Sequence, residues 1–229
     1  MHQYSTDKTN RERVIYVLVI VSVALSHMLK VLFSGTCTLL SNMIGNASSL
    51  AVFAETIQSA ELIPNIIGVP VVYWILSKVF DKWLWKTRLM KMILKIPDLN
   101  GVWKGTLHSS YDEMDYEMVL EIKQTWNRIQ CTSKFKSSQS YSNVAALYSK
   151  GPEGDILYFG FHNQSNVVEI GNQQYDGYNI LRLGGDELCG KYFNDRSNIK
   201  NDNKGGNLGI IALIKQKSVR DKKKSEKDK

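Results

Sequence analysis

A chain of 229 residues has room for one or two domains, and its 43% hydrophobic content is ordinary. Its charge is not evenly spread: the formal +7 divides into +5 over residues 78–95, +5 over residues 215–229 and −3 over residues 96–214. A stretch that is acidic between two basic flanks lacks the footprint of a domain that grips duplex DNA or RNA, so no nucleic-acid polymer is expected as a partner. The three cysteines, Cys37, Cys131 and Cys189, have no metal-ligand spacing and form no C-x-x-C. Cys131 and Cys189 fall in predicted strands and are expected to be small buried residues of a reducing compartment.

Taken in order, residues 1–13 form a short segment with Lys8, Arg11 and Arg13, followed by an apolar run from Val14 to Phe33. Twenty residues at helical rise cover roughly 30 Å, the thickness of a hydrocarbon core, so residues 14–33 are predicted to span a membrane. The run is too long for the apolar part of a signal peptide, and no small-x-small cleavage site ends it. Residues 34–61 carry Glu55 and Glu61 but no Lys or Arg. A second apolar stretch, residues 62–80 with Pro64 and Pro70 inside it, is predicted as a second span, and small residues (Ser22, Ala24, Ser26, Gly68) permit close helix contact. It leads into a basic linker, residues 81–97, in which Lys82, Lys86, Arg88, Lys91 and Lys95 surround Trp83 and Trp85. Cations flank both spans on one side only, which places both termini in the cytoplasm, residues 34–61 outside, and the linker against anionic lipid.

From residue 98 the pattern becomes period two. Val102 to Leu107, Tyr116 to Ile122, Ile129 to Phe135, Tyr141 to Tyr148, Leu157 to Phe161, Leu181 to Leu183, Leu188 to Tyr192 and Ile210 to Ile214 give about eight short strands, each bounded by turn residues. The predicted fold is a membrane-anchored all-β protein, with two N-terminal transmembrane helices followed by a small eight-stranded antiparallel β-barrel over residues 98–216. The remaining residues, 217–229, read as a basic disordered tail. The opening Gly101-Val102-Trp103 resembles the Gly-x-Trp start of lipocalin-like barrels, whose Trp plugs one end.

No nucleophile motif, metal-ligand cluster or phosphate-cradling glycine loop is apparent, and the domain is read as a binding module with no catalytic residue, metal or cofactor. Polar residues fall on the inward parity near strand ends, where a barrel passes from packed base to open mouth: Gln124, Asn163 and Asn194. Around them lie Trp126, Arg128, Ser138, Ser140, Tyr141, Tyr192 and Arg196. Aromatics that stack, cations that neutralise phosphate and hydroxyls that donate hydrogen bonds suit a small nucleotide. These ten are the candidate ligand-binding residues.

The combination of two spans, a basic juxtamembrane segment and a β-rich domain resembles the two-transmembrane β-barrel effectors of bacterial CBASS anti-phage systems. The most specific pieces are Ile96 to Gly105, Ile122 to Trp126, the serine-rich residues 137–142, and Leu188 to Arg196. The resemblance implies a receptor for a cyclic dinucleotide made by a cognate CD-NTase. It further implies homo-oligomerisation on ligand binding and disruption of the bacterial inner membrane, aborting infection. A membrane-anchored lipocalin-like carrier or scaffold for an apolar ligand is the alternative. The segment Ser197 to Gly206 is longer than the resemblance leads one to expect.

Overall fold

The computed structural model describes residues 1–6, 8–44, 62–151, 154–165, 174–196 and 206–216. It divides into two units, a helical one of residues 9–85 and a β one of residues 1–8 and 86 onward.

The helical unit holds α1 (Lys8–Ile44) and α2 (Leu62–Lys82, with Pro70 inside). Within α1, the 22 residues Arg11–Leu32 are long and apolar enough to cross a membrane. Of these only Val14 and Ser22 are buried, while Ile15, Val17, Ile20, Val23, Leu29, Val31 and Leu32 are exposed. A row of exposed branched residues is costly in water and natural in lipid, so this helix is unlike a soluble core helix. The helix runs past the predicted boundary at residue 33 and continues to Ile44. α2 covers the second predicted span; Val71, Trp74 and Ile75 on it are exposed. The two helices approach where small residues allow it: a side-chain carbon placed on Gly68 would lie 4.0 Å from Ser26 Cβ. Most of the extracytoplasmic segment predicted over residues 34–61 lies outside the described residues, as do the tail from residue 217 and most of the 197–206 segment.

The linker is partly helical: a 3-10 turn (Leu84–Lys86) is followed by α3 (Arg88–Leu94). α3 stops because Lys95 takes a left-handed conformation, its N–H donating back to Lys91 O at 2.9 Å. Asp98 then accepts hydrogen bonds from the side chain and the backbone N–H of Asn100. Burial alone would raise the pKa of Asp98, but those bonds and the charges of Lys86 and Lys91 hold it below the usual carboxylate value.

The β unit contains β1 (His2–Gln3) and eight longer strands: β2 (Gly101–Ser109), β3 (Met114–Gln124), β4 (Arg128–Lys134), β5 (Ser138–Gly151), β6 (Gly154–Ser165), β7 (Tyr175–Gly184), β8 (Glu187–Asn194) and β9 (Leu208–Lys215). β2 to β9 run as an antiparallel meander, and β9 returns to β2, so the sheet closes as the predicted eight-stranded barrel. The turn between β7 and β8 uses Gly185 at φ +65°, the positive-φ position that a two-residue hairpin needs. Where β2 crosses β9, the backbones approach so closely that a Cβ on Gly105 would sit 2.0 Å from Ala212 O.

One end of the barrel, the base, is filled by side chains. Trp103, Leu120, Ile122, Ile129, Cys131, Phe159, Leu181, Leu188 and Ile211 are at most 1% exposed. Trp103 does plug this end, its indole N–H donating to Leu99 O at 3.0 Å. Burial pushes the Cys131 thiol up to about 12, so it is a core residue and no nucleophile. Cys189, expected to be buried, is exposed: Leu188 and Tyr192 face inward, which turns Cys189 outward.

The seam between β4 and β5 is short, with only Thr132–Lys134 paired to Gln139–Tyr141. A register shift between Ser142 and Val144 bends β5 away from β4. The N-terminal residues fill the gap. His2 and Gln3 pair with Ile129 and Arg128 of β4. On the other side, Ser5 N–H donates to Ala145 O at 3.0 Å and Leu147 N–H donates to Ser5 O at 2.9 Å. Tyr4, between them, is 2% exposed. The first residues of the segment 1–13 therefore form a strap built into the barrel wall.

Candidate functional site

The other end of the barrel opens into a cavity of about 250 Å³. Along each strand the inward side chains pass from packed base to cavity at a definite step. On β7 this is from Leu181 (0% exposed) to Asn179, on β4 from Cys131 to Ser133, and on β3 from Leu120 to Met118. The floor is made of Leu107, Met118, Ser133, Ser140, Phe161, Asn179 and Tyr192, and the rim of Tyr111, Asp112, Tyr116, Phe135, Ser137, Ser138, Asn163, Tyr175, Asn194, Arg196 and Asn207.

Several of these groups are fixed by one another. Tyr192 Oη donates to Ser109 Oγ at 3.1 Å, and Ser140 Oγ donates to Asn163 Oδ1 at 2.8 Å. Asn194 Oδ1 accepts from the backbone N–H groups of Arg196 and Asn207 and from Asn207 Nδ2. Those bonds pin the chain leaving β8 to the chain entering β9, and so set the start of the Arg196 side chain. Its guanidinium carbon lies 4.1 Å from the Tyr111 ring centre and 5.7 Å from that of Tyr175. A planar cation held over two rings is a pre-oriented fork for a phosphate.

Tyr116 donates a short hydrogen bond to Asp112, which, with burial, pushes its own pKa to about 12. Burial raises Tyr175 and Tyr192 as well, against the lowering effect of the Arg196 charge. All three phenols thus enter the physiological range as protonated hydrogen-bonding groups. Arg196 is the one cation and Asp112 the one carboxylate among the described residues of the cavity, and Asp112 is already engaged.

Six of the ten residues singled out by sequence meet here: Ser138, Ser140, Asn163, Tyr192, Asn194 and Arg196. Four do not. Tyr141 alternates with buried Ser140 and Ser142 and points outward, 42% exposed. Gln124, Trp126 and Arg128 belong to the base, at the end of the barrel remote from the cavity. Gln124 is a structural node there: Oε1 accepts from Leu99 N–H at 2.8 Å, and Nε2 donates to Tyr4 Oη (3.2 Å) and Pro97 O (3.3 Å). Asn100 bonds both backbone groups of Gln124, at 2.7 and 2.9 Å. Strand parity gave Gln124 the right face but the wrong end, because β3 runs from mouth to base. Ser109, Tyr111, Tyr116, Ser133, Tyr175, Asn179 and Asn207 were not anticipated; parity with Leu181 would have marked Asn179, and parity with Cys131 would have marked Ser133.

The model of the family described as "Cap15, cyclic dinucleotide receptor domain" matches residues 94–206, from the last residue of α3 past the end of β8. A protein named CD-NTase-associated protein 15 from Yersinia aleksiciae is 31% identical over 134 residues, 57% of this chain and 64% of that relative. A protein of the same name from Staphylococcus schleiferi is 27% identical over 115 residues, covering 50% of this chain and 63% of its own. The chain thus spans a little under two-thirds of the length of each relative it matches. Over residues 94–206 the barrel is similar to the Cap15 cyclic dinucleotide receptor domain, and both relatives bear the name CD-NTase-associated protein 15.

Proposed function

We propose that this chain is a CBASS effector that receives a cyclic dinucleotide from a cognate CD-NTase in the cavity of its barrel. In this reading it is a sensor and not an enzyme. It sits in the bacterial inner membrane through α1 and α2, with both termini and the barrel in the cytoplasm. Ligand binding favours a homo-oligomer, and clustering of the helices disrupts the bilayer. The single observation that carries the ligand assignment is the chemistry of the cavity: an uncharged floor of mixed polar and apolar side chains beneath one cation poised over two aromatic rings. A nucleotide presents just those demands: a base edge, a flat π-face and a phosphate.

Coupling to the membrane follows from the chain's path. β1 and the linker both join the barrel at its base, where Gln124 ties Tyr4, Pro97, Leu99 and Asn100 together. Binding shifts assembly only if the oligomer holds ligand more tightly than the monomer does. Barrels that gather while tethered at two points bring their helices to high effective concentration, where small-residue contacts such as Gly68 with Ser26 are available.

The alternative of an apolar carrier is disfavoured by one feature: the lower half of the barrel is filled by Trp103, Phe159, Leu181 and their neighbours, leaving an apolar ligand only the serine- and asparagine-lined upper half. Thermal unfolding of the full chain in detergent, against a panel of cyclic dinucleotides and of fatty acids, separates the two. A ligand at 100 times its Kd adds about 2.7 kcal/mol, which is a shift of roughly 10 °C for a domain of this size. A shift with one cyclic dinucleotide supports the receptor; a shift with fatty acids alone gives the barrel to the carrier.

A further inference from the structure

Buried polar side chains normally find partners, because an unpaired amide away from water is costly. Most polar groups in this barrel obey that rule: Gln124 and Asn194 each make several hydrogen bonds, and Ser140 and Tyr192 each donate one. Asn179 breaks it. It is 3% exposed, it lines the cavity at the lowest step of β7, and its carboxamide makes no hydrogen bond among the described residues. Ser133, 4% exposed on the floor formed by β4, likewise has a hydroxyl without a partner there. Beside them the floor is apolar, with Leu107, Met118 and the Phe161 ring.

A surface that is apolar on its sides and carries unpaired donors and acceptors at one edge is the negative of a nucleobase. The size of the cavity points the same way. About 250 Å³ lies below the range of roughly 300–1,000 Å³ found for pockets that enclose a drug-sized ligand, so the floor takes part of a cyclic dinucleotide and not all of it. Arg196 stands at the rim, where the phosphates would then lie.

Building on the receptor reading, we infer that the floor of the cavity reads the edge of one nucleobase, and that Asn179 is the residue that sets which base is accepted. A carboxamide offers one donor and one acceptor side by side, the pattern that pairs bidentately with a base edge. Ser133 adds a hydroxyl to the same floor. The rim cation contacts phosphate, which every cyclic dinucleotide shares, and so contributes affinity without discrimination.

The test is binding of the full chain in detergent to c-di-AMP, c-di-GMP and c-di-UMP, by calorimetry, for wild type and three variants. Wild type is expected to rank the three ligands. Asn179→Ala should weaken the preferred ligand roughly 10- to 100-fold and compress the ranking. Asn179→Asp, which can only accept, should raise c-di-GMP relative to the other two by a similar factor, since guanine alone presents two adjacent N–H donors on its pairing edge. Asn179→Leu is the folding control: the amide faces the open cavity, so its loss should leave the melting temperature of the unliganded protein unchanged or slightly raised while abolishing binding. A merely structural asparagine would instead lower it. An unchanged ranking in both the Ala and Asp variants, with binding intact, overturns the inference and leaves the receptor reading standing. Failure of wild type to bind any cyclic dinucleotide overturns both.

Discussion

Removal of residues 2–6 is expected to destabilise the barrel by more than the roughly 3–5 kcal/mol that truncating one buried aromatic costs. Tyr4 → Ala should by itself reach that range and lower the melting temperature by roughly 10–20 °C. Tyr4 is 2% exposed, accepts a hydrogen bond from Gln124 Nε2 and donates one to Thr125 O. The deletion also removes the strand pairing of His2 and Gln3 and the two backbone bonds of Ser5, reopening a seam that three residue pairs alone would close. Open strand edges invite pairing with other chains, so the deleted protein should also aggregate sooner on heating. Tyr4→Phe, which loses only the hydroxyl contacts, should cost about 1 kcal/mol. Calorimetry or circular dichroism of the full chain decides this. A deletion variant that melts within a degree or two of wild type would reduce the strap to an ornament.

The strap also lies close in sequence to α1. Its last seam residue, Ser5, is followed within three residues by the start of α1 at Lys8. A Gly/Ser insertion between Thr6 and Lys8 should leave ligand binding intact, because the strap joins the barrel at its base and the cavity lies at the other end.

Replacing Arg196 by Ala should weaken binding of every cyclic dinucleotide by roughly 10- to 100-fold. Hydrogen bonds to a charged group are worth about 1.5–3 kcal/mol, and each 1.4 kcal/mol is tenfold. The stability of the unliganded barrel should fall by less than about 1 kcal/mol, the worth of a partly exposed cation–π contact. Arg196→Lys should recover only part of the affinity, since an ammonium cannot present the planar fork that Tyr111 and Tyr175 now orient. Trp126→Ala should behave oppositely: Trp126 is 5% exposed at the base, so its loss should cost stability and leave the ligand contacts untouched. Equal affinity in Arg196→Ala and wild type, or a folded Trp126→Ala protein that has lost binding, would contradict the placement of the site.

Much of this fold is legible in the sequence because strands announce themselves by alternation. Met118, Leu120 and Ile122 on one parity of β3, and Leu157, Phe159 and Phe161 on one parity of β6, are the inward faces. Parity says which face, but it does not say which end. Gln124 and Asn163 both close a run of inward apolar residues, yet one seals the base and the other rims the mouth, because β3 and β6 run in opposite directions. Only the closure of the meander resolves that. The strap was invisible for a different reason. A two-residue strand has no period, and its hydrogen bonds depend on a bulge near Ser142 that no local pattern announces. Asn179 shares the inward parity of Leu181, but a lone polar residue in so short an apolar run attracts no notice until the registry with Phe159 and Tyr192 sets it inside the barrel.

The most direct test of the proposed function is release of an encapsulated dye from vesicles of phosphatidylethanolamine and phosphatidylglycerol carrying the full chain. Addition of the cyclic dinucleotide that stabilises the protein should release the dye, at ligand concentrations that follow the binding curve. The Arg196→Ala variant should need correspondingly more ligand. Saturated binding with the vesicles still sealed would contradict the account, leaving a membrane-tethered receptor that does not itself breach the bilayer.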